Sequence, residues 1–525
     1  MMMWIEGISH TAMVIILLVL IIPISVVLYL YFYDRRQKQH AILRNYPILG
    51  RMRYTLEKTG PELRQYLFDS DHEGKPFSRE EYLHMVMPGK YLSSVIGFGS
   101  KRDFDRSGYF IRNAMFTKQN EEMRADNEPP ILSMRYVVDE DLLFARKEHR
   151  EEVAALPWLL PEEDAIVIGP NCEKPFKVRS LLGQSGMSYG ALGDHAIRAL
   201  SKGIGMAKEA WMNTGEGGLS EHHLAGDAHI IAQIGSGLFG YRTEAGEFSW
   251  ERLLEKAAIE QVKAFEIKLA QGAKMRGGHV EGEKITEEIA AIRNVVPFTT
   301  VNSPNRFNEF HDYNSLFQFI DQIRARSGKP VGIKIVIGSQ EDAEQLAAHI
   351  KETGIGPDFI SLDGAEGGSG ATYQDLADGV GLPLYSALML LDDALKKYGV
   401  RDEVKLIASG KITTPDKAAI ALALGADLVQ VARGFMISVG CIMAERCHTN
   451  TCPAGVATTD PKLQKGLVVE EKKYRVTNYI VTMREGLFRI AAAAGLDSPT
   501  KLNRSHLVYK NRQGHVVSMK ENTRY

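Results

Sequence analysis

From Phe176 onward the chain alternates short, almost continuously apolar runs with longer amphipathic ones, and this alternation most restricts the folds open to it. A short run that is apolar on both faces needs cover on both sides. A parallel sheet receives that cover from the helices connecting its strands. The runs at 177–182, 230–234, 265–269, 297–301, 331–337, 359–363, 404–408 and 428–432 read as strands. Amphipathic stretches at 195–210, 251–262, 286–293, 342–353, 384–398 and 415–424 read as the helices between them. Eight such units fit a closed α/β architecture, a (β/α)8 TIM barrel, better than an open doubly wound sheet.

Glycine clusters recur where these strands should end: at 183–186, 215–218, 235–237, 364–370 and 410–411. In a parallel barrel that end carries the active site, and glycine lets backbone N–H groups approach an anion there. One cluster, Gly235-Ser236-Gly237-Leu238-Phe239-Gly240, also spells the dinucleotide fingerprint. The residues after it, Tyr241 to Glu247, open no amphipathic helix, and the pyrophosphate of a dinucleotide needs a helix N-terminus. A barrel loop is the better reading.

Three of the four cysteines, Cys441, Cys447 and Cys452, fall within twelve residues, spaced C-x5-C-x4-C. Thiolates that close on one loop can converge on a soft metal centre. The spacing leaves two centres open: an iron–sulfur cluster with a free corner, or a Cys3His zinc site completed by His448. The chain has no disulfide framework, which points to a reducing compartment for the folded part. A formal net charge of −2 gives no basis for nucleic-acid binding.

Residues 11–33 (TAMVIILLVLIIPISVVLYLYFY) contain no charge and are long enough to span a bilayer as one helix. Pro23 is tolerated in such a helix. Arg35, Arg36 and Lys38 follow the run, whereas residues 1–10 carry Glu6 and no Lys or Arg. The positive-inside rule then places residues 1–10 outside and everything after 34 in the cytoplasm, making this a single-pass membrane protein. Residues 34–160 form a polar mixed segment with no repeat, helical in patches over 44–63 and loop-like over 69–79.

The motifs GMSYGAL (186–192), NTGEGG (213–218), IAQIGSGLFG (231–240), EIKLAQGAK (266–274), ISLDGAEGGSGAT (360–372) and GCIMAERCHTNTCPAGVAT (440–458) occur in an order that resembles the FMN-binding synthase domain of glutamate synthases. The likeness runs from about 165 to about 467. The N-terminal layout is similar to membrane-anchored, single-domain relatives of that family, which lack the glutamine amidotransferase and NADPH-binding parts. The resemblance implies a barrel over 161–470, followed by a C-terminal extension over 471–525. It further implies bound FMN and a [3Fe-4S] cluster on Cys441, Cys447 and Cys452, with His448 and Asn450 orienting those ligands. Cys172 stands apart and reads as structural.

In that family reduced flavin converts an imine of 2-oxoglutarate and ammonia to glutamate. The resemblance implies substrate or catalytic roles for Glu216, Lys274 and Arg293. Met187, Ser188, Tyr189 and Gln233 would line the flavin, and Lys334 would stand at its pyrimidine edge. Lys334 is unusual in its own right, a lysine inside an apolar strand. The phosphate would rest on Gly367, Gly368, Gly370, Ser409, Gly410, Lys411, Ala432 and Arg433.

Three stretches depart from the family pattern. The loop at 274–279 is one residue shorter and carries His279 where a substrate-binding Gln is expected. Ala408-Ser409-Gly410 replaces a D-G-G phosphate motif, and 302–316 keeps only His311-Asp312 of its usual pattern. With no cysteine before Cys172, ammonia is expected from solution or a partner, and electrons from a separate protein or membrane carrier. The leading expectation is a glutamate synthase-like oxidoreductase acting on CH–NH2 groups, taking 2-oxoglutarate and ammonia or a related oxoacid and amine. The rivals are an FMN-dependent amino acid or N-alkyl amino acid dehydrogenase, and an electron-transfer subunit without a substrate of its own.

Overall fold

The structure, a computed structural model, describes residues 2–142, 146–272, 274, 277–368, 370 and 372–519, with side chains from residue 12 onward. Met1, Met275 and Arg276 of the 274–279 loop, Ser369 and Ala371 of the glycine-rich stretch, and residues 520–525 lie outside the described residues. The chain forms two compact units, Met1–Glu80 and Glu81–Tyr525.

The first unit is helical: Met2–Arg36, Ala41–Asn45 and Leu49–Leu63, the last continued by a wider turn at Arg64–Phe68. Within the first helix, the span Ala12–Arg36 contains an 18-residue stretch of mean hydropathy 3.1, none of it buried, so among the described residues one helix is long and apolar enough to cross a membrane. The apolar run at 11–33 therefore lies in a helix that already begins at Met2.

The second unit is built on eight parallel strands closed into a barrel. They are β1 (Leu182–Gln184), β2 (Trp211–Asn213), β3 (His229–Ile234), β4 (Val262–Lys268), β5 (Val331–Ile335), β6 (Phe359–Asp363), β7 (Lys405–Ser409) and β8 (Leu428–Val431). Closure comes from β8 pairing with β1, Gln430 opposite Gly183. Helices follow most of the strands, and several are started by a side-chain cap. Ser249 accepts from Arg252 N ahead of Trp250–Ala257, and Ser339 accepts from Asp342 N ahead of Gln340–Thr353.

The barrel of eight is as expected, but two of its members are not. The run at 297–301 is no barrel strand: Val301–Asn302 pairs antiparallel with His279–Val280 in a ribbon outside the barrel. β5 pairs directly with β4, Val331 beside Phe265, which leaves no edge for another strand between them. The missing strand is β2, three residues long and too short to show a period. The run at 177–182 also divides. Phe176–Val178 pairs with Ile166–Ile168, and the barrel strand begins only at Leu182. A helix at Tyr313–Ser327 was not foreseen; Asp312 of the His-Asp pair caps it by accepting from Ser315 N.

The segment before the barrel forms a hairpin, Ile131–Asp141 with Arg146–Ala155, and a strand, Gly108–Ile111, paired with the C-terminal Leu507–Lys510. The helix Val469–Ala493 packs along Asp194–Met206 and Pro415–Ala423 and ties these parts to the barrel. Its Arg484 is 2% exposed and reaches four acceptors: Ser180 Oγ at 3.0 Å and the carbonyls of Pro157, Ala207 and Lys208 at 3.2, 2.7 and 2.9 Å. Removing the guanidinium would take a donor from all four at once, three of them in fully buried bonds. Arg484→Met should lower the thermal midpoint by roughly 5 °C, read by calorimetry.

Candidate active site

Successive side chains alternate along a strand, so every second residue enters the barrel. On β4 these are Glu266 and Lys268, and on β5 it is Lys334. The Glu266 carboxylate accepts from Asn213 Nδ2 of β2 at 2.7 Å and from Gln233 Nε2 of β3 at 2.6 Å. Lys334, 2% exposed, donates to Ser185 Oγ at 3.0 Å and pairs with Asp363 Oδ1 of β6 at 3.2 Å. The cost of burying this lysine is thus offset by a carboxylate from the neighbouring strand. Five strands, β2 to β6, contribute to one polar layer at the C-terminal end of the barrel.

Above that layer the loops assemble a cluster of charges. Glu216, in the loop after β2, takes Lys268 Nζ and Lys274 Nζ on the same oxygen, each at 2.9 Å. Burial alone would raise the Glu216 pKa. The two ammonium groups outweigh it and hold the carboxyl well below the usual carboxylate range. Lys268 is pushed down to about 8 by burial, with Lys274 and Lys334 adding repulsion against the pull of Glu216. Arg293 ends the helix Glu287–Arg293 and is 2% exposed, pushed down to about 10 by burial and sensing Glu216. Its Nη2 donates to Tyr189 O at 2.9 Å, while its Nε is buried without a partner among the described residues.

The loops carry glycine where they stack. A Cβ on Gly278 would lie 2.9 Å from both Glu216 Oε1 and Lys274 Nζ. Gly215 has φ 67°, and a Cβ there would press to 2.7 Å from Ser188 N. Larger residues would push the 186–192 loop off the 213–218 loop.

The predicted substrate residues Glu216, Lys274 and Arg293 thus meet in one place. Met187 and Ser188 lie against the Gly215 turn. Tyr189 contributes its carbonyl to Arg293, whereas its ring packs edge-on to His222 and its hydroxyl donates to Glu288 at 2.7 Å. His279 is turned aside, bonded to Asn302 Oδ1 at 2.7 Å and Glu281 Oε1 at 3.0 Å. Gly235 to Gly240 form a turn, and the next helix starts only at Trp250, so the fingerprint holds no helix N-terminus.

Gly367 N donates to Gly364 O, and Gly368 O accepts from Gln271 Nε2. Ser409 O accepts from Gly364 N, which brings the 364–370 and 409–411 loops together; Gly410 there has φ 147°. Arg433 opens the short helix Arg433–Val439 after β8 and Ala432, beside Gly368 on one side and the Cys441 and Cys447 thiols on the other. Gly370 lies against Cys447. Cys441, Cys447 and Cys452 share one loop, and burial pushes the Cys441 thiol up to about 11, with Cys447 and Cys452 adding to it. Asn450 braces that loop by accepting from Thr459 N at 2.8 Å, while His448 is exposed. Cys172 is remote, 3.8 Å from Asp358.

Sequence reasoning missed Lys268, Glu266, Asp363 and Lys284. The first had a signal, since the argument applied to Lys334 holds equally for a lysine in EIKLAQGAK. Lys284, 3% exposed, joins the two loops by donating to Ala191 O at 3.1 Å and Cys447 O at 2.7 Å. Glu266 Oε2, Ser361 Oγ and both amide atoms of Gln430 are buried without a hydrogen-bond partner among the described residues. Buried polar atoms rarely stay unpaired. Their placement on β4, β6 and β8 fits a polar planar ring such as a flavin over the layer. The glycine loops with Lys411 and Arg433 fit a phosphate, and the three thiols lie on one loop close enough to sense one another's charge.

The conserved region in glutamate synthase matches residues 120–497. A glutamate synthase large subunit-like protein, YerD of Bacillus subtilis (strain 168), is 58% identical over 93% of this chain and 93% of its own. An archaeal glutamate synthase [NADPH] of Methanocaldococcus jannaschii is 35% identical over 61% of this chain and 60% of its own. The flavin-binding domain of baker's yeast flavocytochrome b2 overlaps at a TM-score of 0.42 and 12% identity, covering 84% of this chain and 82% of that one. That likeness is too slight to carry the chemistry of the site.

An anion bound beside Glu216 would rely on Lys268 remaining charged. The ammonium is present below about pH 8 and lost above it. Binding of a small dicarboxylate, measured by calorimetry from pH 6.5 to 9.5, should weaken by about tenfold as pH rises through that value. Lys268→Met should bind weakly throughout and abolish the step.

Proposed function

The chain belongs to the glutamate synthase family and is an oxidoreductase; from that premise we propose that it uses FMN and a [3Fe-4S] cluster to reduce the imine of 2-oxoglutarate and ammonia to glutamate. The observation that carries the reading is the charge cluster of Lys268, Lys274 and Arg293 around a single ionised Glu216. Three cations against one carboxylate suit a substrate with two carboxylates. Arg293, whose buried Nε lacks a partner among the described residues, would take one, and the lysines the other. Glu216 is acceptor-only when ionised, so it would orient ammonia or an iminium by accepting its N–H bonds.

FMN, when bound, supplies the hydride, and the protein supplies place and charge. Gln233, Lys334, Met187, Ser188 and Tyr189 would hold the ring. Gly367, Gly368, Gly370, Ser409, Gly410, Lys411, Ala432 and Arg433 would hold its phosphate. Lys334, ion-paired with Asp363, would face the reduced ring. Cys441, Cys447 and Cys452 would hold the cluster, with electrons arriving from a separate donor protein or a membrane carrier. The helix Met2–Arg36 would anchor the protein by a single pass, with the catalytic unit in the cytoplasm.

One observation favours a second reading, oxidation of an amino acid or N-alkyl amino acid at the same site. His279 stands where the family carries a substrate-binding Gln, and it is engaged by Asn302 and Glu281. That leaves room for a substrate other than 2-oxoglutarate.

The purified full chain should be yellow-brown, with flavin absorption over a broad iron–sulfur band; a colourless protein with stoichiometric zinc would reject both enzyme readings. Photoreduced protein, mixed anaerobically with 2-oxoglutarate and ammonium, should reoxidise and yield glutamate. Reoxidation with another oxoacid alone would move the substrate. Arg293→Ala should raise KM for the oxoacid by about tenfold to a hundredfold. An unchanged KM and kcat would point instead to an electron-transfer subunit.

A further inference from the structure

Unit Met1–Glu80 carries, after its apolar helix and the short Ala41–Asn45 turn of helix, a second long helix whose apolar stripe is exposed. Leu49, Met52, Leu56, Leu63 and Leu67 recur at spacings that place them along one side of Leu49–Leu63 and its continuation Arg64–Phe68. Arg51, Arg53, Glu57, Lys58 and Arg64 take the remainder of the circumference. Leu49 is 73% exposed, Met52 66%, Leu56 54% and Leu67 70%. A stripe of this kind is stable where one side of a helix meets acyl chains and the other meets headgroups.

The fold fixes where this helix starts. Asp34, in the last turn of the apolar helix, is 0% exposed. Its carboxylate accepts from Arg51 Nη2 at 2.6 Å, Arg51 Nε at 2.9 Å and Ile48 N at 3.0 Å. Ile48 directly precedes the second helix, so the end of the first caps the start of the second, where negative charge is favoured. Gly50 permits the close corner, since a Cβ there would lie 3.1 Å from Leu43 Cδ2 and 3.2 Å from Ile42 O. The second helix therefore leaves the corner at the depth where the first one ends. Tyr29, Tyr31, Phe32 and Tyr33 gather at that end, as aromatic side chains do at a membrane–water boundary. Residues 34–58 carry seven Lys or Arg (35, 36, 38, 44, 51, 53, 58) against two acids, Asp34 and Glu57. Such an excess attracts anionic lipid headgroups.

We propose that residues 49–68 form an interfacial helix lying on the anionic surface of the membrane that the first helix crosses, with Leu49, Met52, Leu56, Leu63 and Leu67 in the lipid. This rests on reading the first helix as a span. It adds that the Asp34–Arg51 corner delivers a second, in-plane anchor that sets how the chain leaves the bilayer.

The full chain, with Leu56→Cys or Lys58→Cys, would be treated with a membrane-impermeant maleimide in membrane vesicles whose cytoplasmic face is outward. The four native cysteines are accounted for with the unaltered chain. Lys58→Cys should react about tenfold faster than Leu56→Cys, and detergent should bring the two together. Equal rates in membranes would overturn the proposal. So would protection of Leu56→Cys that disappears as the lipid-to-protein ratio is raised, the mark of a second copy covering the stripe. An alkaline carbonate wash tests the span separately: a chain released by it has no span, whereas a chain retained with both positions equally reactive has a span and no interfacial helix.

Discussion

A parallel barrel delivers every strand's C-terminal end to the same rim, and the chemistry of this protein depends on that constraint. β2, β4, β5 and β6 come from distant parts of the sequence, yet Asn213 reaches Glu266 and Lys334 reaches Asp363 because the strands run the same way in register. The loops that follow must crowd over the same opening. Glycine at Gly215 and Gly278 allows them to stack closely enough for Glu216 to take two lysines on one oxygen.

Charge is arranged there at a cost to stability. Buried ion pairs rarely repay their desolvation, and a well-packed apolar substitute would often serve the fold better. The depressed pKa of Lys268 is a direct expression of that cost. Cations held this way, with Arg293 bonded to a backbone carbonyl and, among the described residues, to no carboxylate, suit the anion proposed for this site. Strain of this kind collects where binding rather than folding is the purpose.

Lys284 and Arg433 extend the arrangement toward the cysteine loop. Lys284 donates both to the loop after β1 and to the carbonyl of Cys447. Arg433 stands between Gly368 and the thiols of Cys441 and Cys447. Through these two residues the cysteine loop and the barrel rim share one electrostatic environment. A small displacement of either would be felt at the other.

The sequence alone determined the class of fold, because eight βα units need helices on both sides of a parallel sheet, and periodicity records this locally. It also determined the apolar helix, the clustered thiols and the meeting of Glu216, Lys274 and Arg293, the last through motif order. What tertiary structure decided was everything that depends on neighbours across strands. β2 is three residues long and has no period to read, so only its pairing with β1 and β3 reveals it. The run at 297–301 has the composition of a strand, but β4 is already paired with β5. Lys268 lies in plain view in an apolar strand, yet its bond to Glu216 spans 52 positions and is set by the closure of the barrel. Arg293 reads as a surface residue at the end of a helix until the 186–192 loop folds over it.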